Sequence, residues 1–263
     1  MKVIPNIRRG QILDYLSDKK AKTASLAELY DYFNISVTTL RRDIDILTKE
    51  NSIRKVHGGV VLKKEIDEEP LFSRRINKLR EEKRRIAKEA ITRVSDRDII
   101  FLNCGTTCME IAELINIKKN IKAITIAPHI LNKLSYLNNN NNFSGEVMCS
   151  GGILRKDPSD IFVGPRAINF FNGMRITISF FGVLSISLEE GWMVSSFFEA
   201  EITKAVLEKS EKVIGVCDHS KFDTLSLATI GGLELFDEII TDKDFENNSN
   251  FEKYNSQTKI TLV

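Results

Sequence analysis

Residues 35–50 constrain the fold of this chain more than any other stretch, because they predict a helix with a defined start. Ser36 is a favourable N-cap, since its hydroxyl can accept a hydrogen bond from the free backbone N–H groups of the first turn. Three apolar side chains then recur at the spacing of one helical face: Leu40, Ile44 and Leu47. The pattern therefore predicts an amphipathic helix that buries this face.

The other faces of this helix carry hydroxyl and guanidinium groups. Arginine can donate two parallel hydrogen bonds to guanine, and serine or threonine can contact a phosphate or a base edge. The residues that can make such contacts are Ser36, Thr38, Thr39, Arg41 and Arg42. A surface helix with two solvated arginines is the alternative interpretation, and the neighbouring sequence bears on the choice.

Charge is divided unevenly between a small head, residues 1–64, and the remainder of the 263-residue chain. The head holds 13 lysines and arginines against 7 acidic residues, whereas residues 65–263 hold 25 against 29. A basic head beside a slightly acidic body predicts that the head binds a polyanion. The length allows two domains with at least one sizeable core.

Further signals in the head predict a winged helix-turn-helix domain over residues 1–64. Residues 8–16 have apolar side chains at helical spacing, and Ser25 with Glu28 forms a capping box that opens a short second helix. Asn34 then tolerates the left-handed conformation that ends a helix. In such a layout the next helix enters the major groove of DNA.

Two short predicted strands, residues 53–56 and 60–62, suggest a wing after this helix. The glycines between them allow the positive φ that a tight hairpin needs. The wing side chains predicted to lie near a phosphate backbone or a minor groove are Arg54, Lys55 and His57. For His57 the alternative is a loop residue without a partner.

Residues 65–94 predict a linker and a connecting helix. An acidic run ends at Pro70, and a densely charged segment with one apolar stripe continues to Val94. From residue 95 onwards, short apolar runs alternate with helical segments, which is typical of a mainly parallel sheet covered on both faces. We therefore predict an α/β domain over residues 95–263.

Three segments of small and polar residues follow predicted strands of this domain. Ligands of open parallel sheets bind outside the carboxyl ends of the strands, and glycine and threonine at a helix start suit an anion. One anionic site built from all three segments is the economical hypothesis, although the first could be an ordinary strand-to-helix turn. The predicted ligand-binding residues are Asn103, Gly105, Thr106, Thr107, Gly151, Gly152, Asp218 and Lys221.

Other classes of protein are disfavoured by the sequence. No apolar run approaches the ~20 residues of a membrane span, and the N-terminus has no apolar core of signal-peptide type. The four cysteines form no C-x-x-C pair and are predicted to be reduced, which favours a cytoplasmic protein. No cofactor is expected, and no metal either, because Cys104 and Cys108 have no further ligand nearby.

Residues 36–43 and 54–59 resemble the DNA-binding head of the DeoR family of bacterial transcriptional regulators. The body resembles the sensor domain of that family at residues 82–87, 104–107, 150–152 and 218–221. The resemblance implies a body with a fold like that of ribose-5-phosphate isomerase. It also implies a regulator, usually a repressor, of a sugar or nucleoside operon. Its partners would be double-stranded operator DNA, a phosphorylated sugar effector and further copies of the chain in a dimer or tetramer.

The chain departs from the family pattern at three positions near the predicted effector pocket. Ile126 stands where the family often has asparagine, Asn103 where aspartate is frequent, and Leu184 where an acid is frequent. These differences predict either a pocket tuned to an unusual ligand or one that has lost affinity.

Two other functions stay open on the sequence. A sugar-phosphate isomerase with an accessory head would need a general base, commonly a carboxylate, and Glu189, Glu190 and Asp218 are the candidates. A protein that coats DNA without sequence preference is the other alternative. Coating DNA would not need a large body with an anion-site pattern.

Overall fold

The structure, a computed structural model, describes residues 5–18, 23–50, 52–56, 59–62, 75–139, 143–155 and 160–263. The chain divides into two compact units, Met1–Glu68 and Glu69–Val263. Each unit contains a hydrophobic core of its own. No helix in these ranges is long and apolar enough to cross a membrane.

The first unit contains three helices and a three-stranded antiparallel sheet. The helices are α1 (Pro5–Asp18), α2 (Leu26–Phe33) and α3 (Val37–Lys49). The strands are β1 (Thr23–Ser25), β2 (Ile53–Val56) and β3 (Gly59–Leu62), in the order β1-β3-β2. The predicted helix-turn-helix and its wing are confirmed, whereas β1 is a three-residue strand that the sequence did not predict.

The capped starts of α2 and α3 fix the turn between these two helices. The Ser25 hydroxyl accepts a hydrogen bond from the backbone N–H of Glu28 at 3.1 Å, and the Ser36 hydroxyl accepts one from Thr39 at 3.2 Å. Between them Asn34 ends α2 in the left-handed conformation, with φ of 46°. Each cap contributes ~1 kcal/mol by satisfying a backbone donor.

The core of the first unit is formed by apolar side chains from all three helices and from the sheet. These side chains are Ile12, Leu16, Ala24, Leu29, Leu40, Ile44, Leu47, Ile53 and Val60. Asp43 on α3 is buried beside them, and the Arg8 guanidinium pairs with its carboxylate at 2.6 Å. The ion pair lets α3 keep an acidic residue on its inner side without leaving the charge uncompensated.

The second unit is built on a seven-stranded sheet. Its strands and those of two smaller sheets are β4 (Ile99–Leu102), β5 (Lys119–Thr125), β6 (Ser144–Cys149), β7 (Ile153–Arg155), β8 (Ile161–Val163), β9 (Ile178–Gly182), β10 (Ser185–Ser187), β11 (Gly191–Val194), β12 (Val213–Val216), β13 (Ala228–Gly231), β14 (Glu238–Thr241) and β15 (Ile260–Leu262). Its helices are α4 (Arg80–Ile91), α5 (Thr106–Leu114), α6 (Pro128–Asn139), α7 (Pro165–Asn169), α8 (Phe197–Leu207) and α9 (Phe251–Gln257).

The large sheet has the strand order β15-β14-β12-β9-β4-β5-β6, and every neighbouring pair is parallel. Strands such as β9 and β12 are buried along almost their whole length, as expected of a parallel sheet with both faces covered. The predicted α/β class and mainly parallel sheet are therefore confirmed. Of the charged helix predicted up to Val94, residues 71–74 lie outside the described ranges.

The register of the central strands brings three turns together. Leu102 of β4 pairs with Phe180 of β9, and Val216 of β12 pairs with Gly182 of β9. The carboxyl ends of β4, β9 and β12 therefore meet at one edge of the sheet. Chain segments that leave these strands lie next to one another at that edge.

Candidate functional site

The helix α3 carries the predicted DNA contacts on its outer side. Its three apolar side chains are buried as predicted, while Thr38, Arg41 and Arg42 are exposed. The hydroxyls of Ser36 and Thr39 lie 2.8 Å apart at the start of the helix. The first turn thus presents hydroxyl and guanidinium groups outward, which is the arrangement needed for contacts with phosphates and base edges.

Only part of the predicted wing surface falls within the described residues. Lys55 on β2 is exposed, and its ammonium group forms an ion pair with Asp45 of α3. This pair lowers the pKa of Asp45 and offsets a negative charge that would repel DNA phosphates. The side chain of Arg54 and all of His57 lie outside the described residues, so their predicted roles stay predictions.

In the second unit a cavity, called here the ligand cavity, opens at the carboxyl ends of β4, β9 and β12. Cationic, small and acidic side chains line it. Its lining residues are Arg75, Lys78, Lys83, Cys104, Gly105, Thr106, Thr107, Gly182, Val183, Leu184, Glu199, Cys217, Asp218 and Lys221. Five of the eight predicted ligand-binding residues belong to this lining: Gly105, Thr106, Thr107, Asp218 and Lys221.

The other three predicted ligand-binding residues lie apart from this lining. Gly151 and Gly152 follow β6, which is two strands away from β4 in the sheet. The structure therefore joins two of the three predicted segments, and a role for the glycine pair stays a prediction. Asn103 is fully buried and does not line the cavity, and neither atom of its amide has a hydrogen-bond partner among the described residues.

The start of α5 supplies the cavity with backbone N–H groups. Gly105 immediately precedes the helix and has φ of 102°, a conformation that side-chain-bearing residues rarely adopt. Thr106 and Thr107 follow as the first two helical residues and are both buried. The free N–H groups and the positive end of the helix dipole favour an anion at this position.

Four cationic side chains line the cavity, and Lys83 is the buried one among them. Its ammonium group donates hydrogen bonds to the carbonyl oxygens of Arg75 at 2.8 Å and Lys78 at 2.6 Å. Burial lowers the pKa of Lys83 to about 8, although the Asp218 carboxylate opposes the shift. The sequence prediction did not include this lysine, which lies in a densely charged helix.

A signal for Lys83 nevertheless exists in the sequence. Lys83, Ile86 and Ala90 recur at i, i+3 and i+7, so the lysine lies on the apolar stripe of α4. A cation on the buried face of a helix needs specific partners. That position, rather than the charge density around it, could have identified Lys83.

Two buried carboxylates complete the lining. Asp218 accepts hydrogen bonds from the backbone N–H of Ser220 at 3.1 Å and from its hydroxyl. Glu199 on α8 accepts hydrogen bonds from the Cys104 thiol at 3.5 Å and from the Ser195 hydroxyl at 3.3 Å. The sequence prediction did not include Glu199 among the ligand-binding residues. Together the two carboxylates place hydrogen-bond acceptors for hydroxyl groups beside the cationic side chains of the cavity.

A third acidic residue, Asp242, holds the turn that carries Lys221. Both the backbone N–H and Nδ1 of His219 lie 2.7 Å from the Asp242 carboxylate, which also accepts from the N–H of Asp244 at 3.2 Å. These three side chains are close enough to hold a metal ion. Since hydrogen bonds already occupy the Asp242 oxygens, we interpret the cluster as a structural support for Lys221.

Comparisons with known proteins agree with this two-part arrangement. Residues 8–65 match the DeoR-like helix-turn-helix domain, and residues 78–243 match the DeoR C-terminal sensor domain. The chain is 32% identical to the HTH-type transcriptional regulator IolR of Bacillus subtilis, over 86% of this chain and 87% of the relative. It is 27% identical to the glycerol-3-phosphate regulon repressor of Escherichia coli, over 85% of this chain and 86% of that protein.

A solved structure gives a weaker likeness. The ribose 5-phosphate isomerase of Plasmodium falciparum has a TM-score of 0.38 and 19% identity, with 54% of this chain and 52% of that chain covered. A score of this size says nothing about function. The two family matches, by contrast, span the head and most of the body. The chain therefore belongs to the DeoR family of transcriptional regulators, with a helix-turn-helix domain followed by a sensor domain.

Proposed function

We propose that this protein is a repressor that binds operator DNA through α3 and leaves it when a phosphorylated sugar enters the ligand cavity. The observation that carries the proposal is the cavity itself. Four cationic side chains and the start of α5 converge on one space next to two carboxylates. Such a space suits a ligand that has both a phosphate and hydroxyl groups.

The phosphate and the hydroxyl groups of the ligand would contact different walls of the cavity. Its phosphate would contact the backbone at Gly105 and the ammonium groups of Lys83 and Lys221. Its hydroxyl groups would donate hydrogen bonds to Glu199 and Asp218. A relative named for a glycerol-3-phosphate regulon supports a phosphorylated polyol or sugar as the ligand. The regulated operon would be one of sugar or nucleoside metabolism.

The DNA contacts would come from Arg41 and Arg42 as main anchors, with Thr38, Thr39 and the wing beside them. A symmetric oligomer, either a dimer or a tetramer, would present two α3 helices about one DNA turn, ~34 Å, apart. A ligand that binds better to an arrangement with another spacing lowers operator affinity by that difference in binding. No cofactor or metal is needed for this function.

The test is a gel shift with the DNA upstream of this protein's own gene, titrated with glycerol 3-phosphate, ribose 5-phosphate and fructose 6-phosphate. We expect specific binding, and release by at least one compound. A Lys221→Ala variant should bind the operator but need at least tenfold more of that compound for release. Unchanged release from this variant would contradict the placement of the ligand in the cavity.

A sugar-phosphate isomerase is the second candidate, because Glu199 is a buried carboxylate in the cavity lining and could act as a general base. We favour a protein without catalytic activity, since both domains of the chain match those of transcriptional regulators. Incubation with pentose and hexose phosphates, followed by separation of aldose from ketose, distinguishes the two. Turnover that is lost in Glu199→Gln would favour the enzyme.

A further inference from the structure

Residues 75–79, called here the strap, are the first described part of the second unit after the linker. Two of the four cations of the ligand cavity, Arg75 and Lys78, belong to this segment. The strap is directly followed by α4. A ligand in the cavity would therefore act on the piece of chain through which the sensor unit is joined to the DNA-binding head.

Lys83 holds the backbone of the strap. Its ammonium group donates to the carbonyl oxygens of Arg75 at 2.8 Å and of Lys78 at 2.6 Å, and lies among the residues that line the cavity. An ammonium group has three N–H donors. The two carbonyl oxygens use two of them, so a phosphate that takes more than the one remaining N–H of Lys83 competes with the strap for the same charged group.

The strap also ends in a strained residue. Leu79 has φ of 51° in the left-handed region, which costs energy for a residue with a side chain. It occupies the N-cap of α4 but provides no side-chain hydrogen bond to the helix. The hydrogen bonds from Lys83 are therefore part of what holds this conformation in place.

We propose that the strap transmits ligand binding from the cavity to the linker. A bound phosphate draws Lys83, Arg75 and Lys78 together and releases the strap from its present backbone conformation. This inference rests on the proposed function, since it assumes a phosphorylated ligand that lowers operator affinity. Lys83 then acts as a positioning residue, because the same ammonium group holds the strap in the unliganded protein and contacts the ligand in the liganded one.

The test measures coupling, defined as the operator Kd at saturating glycerol 3-phosphate divided by the operator Kd without it. If another compound of the panel gives the largest release, that compound replaces glycerol 3-phosphate. We expect Leu79→Gly to bind glycerol 3-phosphate within threefold of the wild type but to reduce coupling at least threefold. Glycine removes the strain and so favours the present conformation of the strap.

Lys83→Met and Lys221→Met form a matched pair, because each removes one lysine charge from the cavity. We expect Lys221→Met to weaken ligand binding at least tenfold and to keep wild-type coupling at saturation. Hydrogen exchange of the full chain without ligand gives the second readout. Lys83→Met should speed exchange of the backbone amides of residues 76–79 at least tenfold, whereas Lys221→Met should leave that exchange unchanged.

The outcomes separate the inference from the function on which it rests. If the wild type is not released by any compound of the panel, both are overturned. If the wild type is released but Leu79→Gly keeps full coupling and Lys83→Met leaves the exchange of residues 76–79 unchanged, only the strap is overturned. If Lys83→Met does not fold, Leu79→Gly alone provides the test.

Discussion

The burial of Lys83 predicts that ligand binding depends on pH. With a pKa of about 8 in the unliganded protein, this lysine loses its proton above pH 8. The groups that act on it are Asp218, which favours the charged form, and Lys221, Arg75 and Lys78, which oppose it. A phosphate dianion favours the charged form and raises the pKa again, so binding takes up a proton.

We therefore expect the affinity for glycerol 3-phosphate, or for the releasing compound of the panel, to fall by up to about tenfold per pH unit between pH 8 and 10. Calorimetry at pH 8.5 in two buffers of different ionisation enthalpy measures the proton uptake. Lys221→Met serves as a comparison, because it keeps the group that titrates but raises the unliganded pKa of Lys83 by removing a neighbouring charge. Proton uptake at pH 8.5 should therefore persist and be smaller. Binding without proton uptake at pH 8.5 would show that the ligand does not contact Lys83.

The same lowering of the Lys83 pKa makes the stability of the fold depend on pH. The folded pKa of Lys83 lies below the ordinary value of 10.5, so the unfolded chain binds more protons between pH 8 and 10.5. The contribution of Lys83 to the free energy of unfolding therefore increases as the pH rises through this window.

Asn103 gives a second prediction about a single residue. Its side chain is fully buried, and neither of its amide atoms has a hydrogen-bond partner among the described residues. Replacing an unsatisfied amide by an apolar group of similar size removes a desolvation cost of ~1–3 kcal/mol. Asn103→Leu should thus raise the free energy of unfolding, measured by urea denaturation, by about that amount. A loss of stability would mean that the amide has partners, such as ordered water.

At the scale of single elements, changes in α3 are predicted to weaken DNA binding. Arg41→Ala and Arg42→Ala each remove a group that can bond a base, and the loss should cost roughly 1–3 kcal/mol of operator affinity. Lys49→Ala is the matched control, since it removes one positive charge from the last turn of the same helix. We expect it to weaken binding to all DNA sequences alike. Competition assays with unrelated DNA measure the difference, and intact operator binding in both arginine variants would contradict the prediction.

Sequence patterns predicted the elements that depend on local interactions. The caps at Ser25 and Ser36, the buried face of α3 and the apolar strands of the large sheet follow from neighbours a few residues apart. In the second unit the strands β7, β8, β10, β11 and β13 were missed, because these short strands form two small sheets whose pairing partners the sequence does not reveal. Glu199 was missed because its burial depends on which distant strands meet at the cavity. Lys83 was missed because the charged residues around it obscured its position on the apolar stripe of α4.

At the scale of the whole molecule, the chain has two separate cores. One consists of side chains between Ile12 and Val60, and the other of side chains between Ile86 and Tyr254. No residue belongs to both of these clusters, as far as the described residues go. A domain with its own core can unfold as a cooperative unit. The two units are therefore expected to differ in their response to ligand and to mutation.

Scanning calorimetry of the full chain should accordingly resolve two unfolding transitions. The compound that releases the operator, present at 100 times its Kd, should stabilise only the sensor unit, by about 2.7 kcal/mol, because it binds that unit alone. Leu40→Ala removes a buried side chain of the head and should lower only the other transition, by roughly 2–5 kcal/mol. Sodium sulfate at the same ionic strength controls for general effects of salt. If one transition moved with both the ligand and the head mutation, the two units would unfold together, and the coupling would involve more than the linker and the strap.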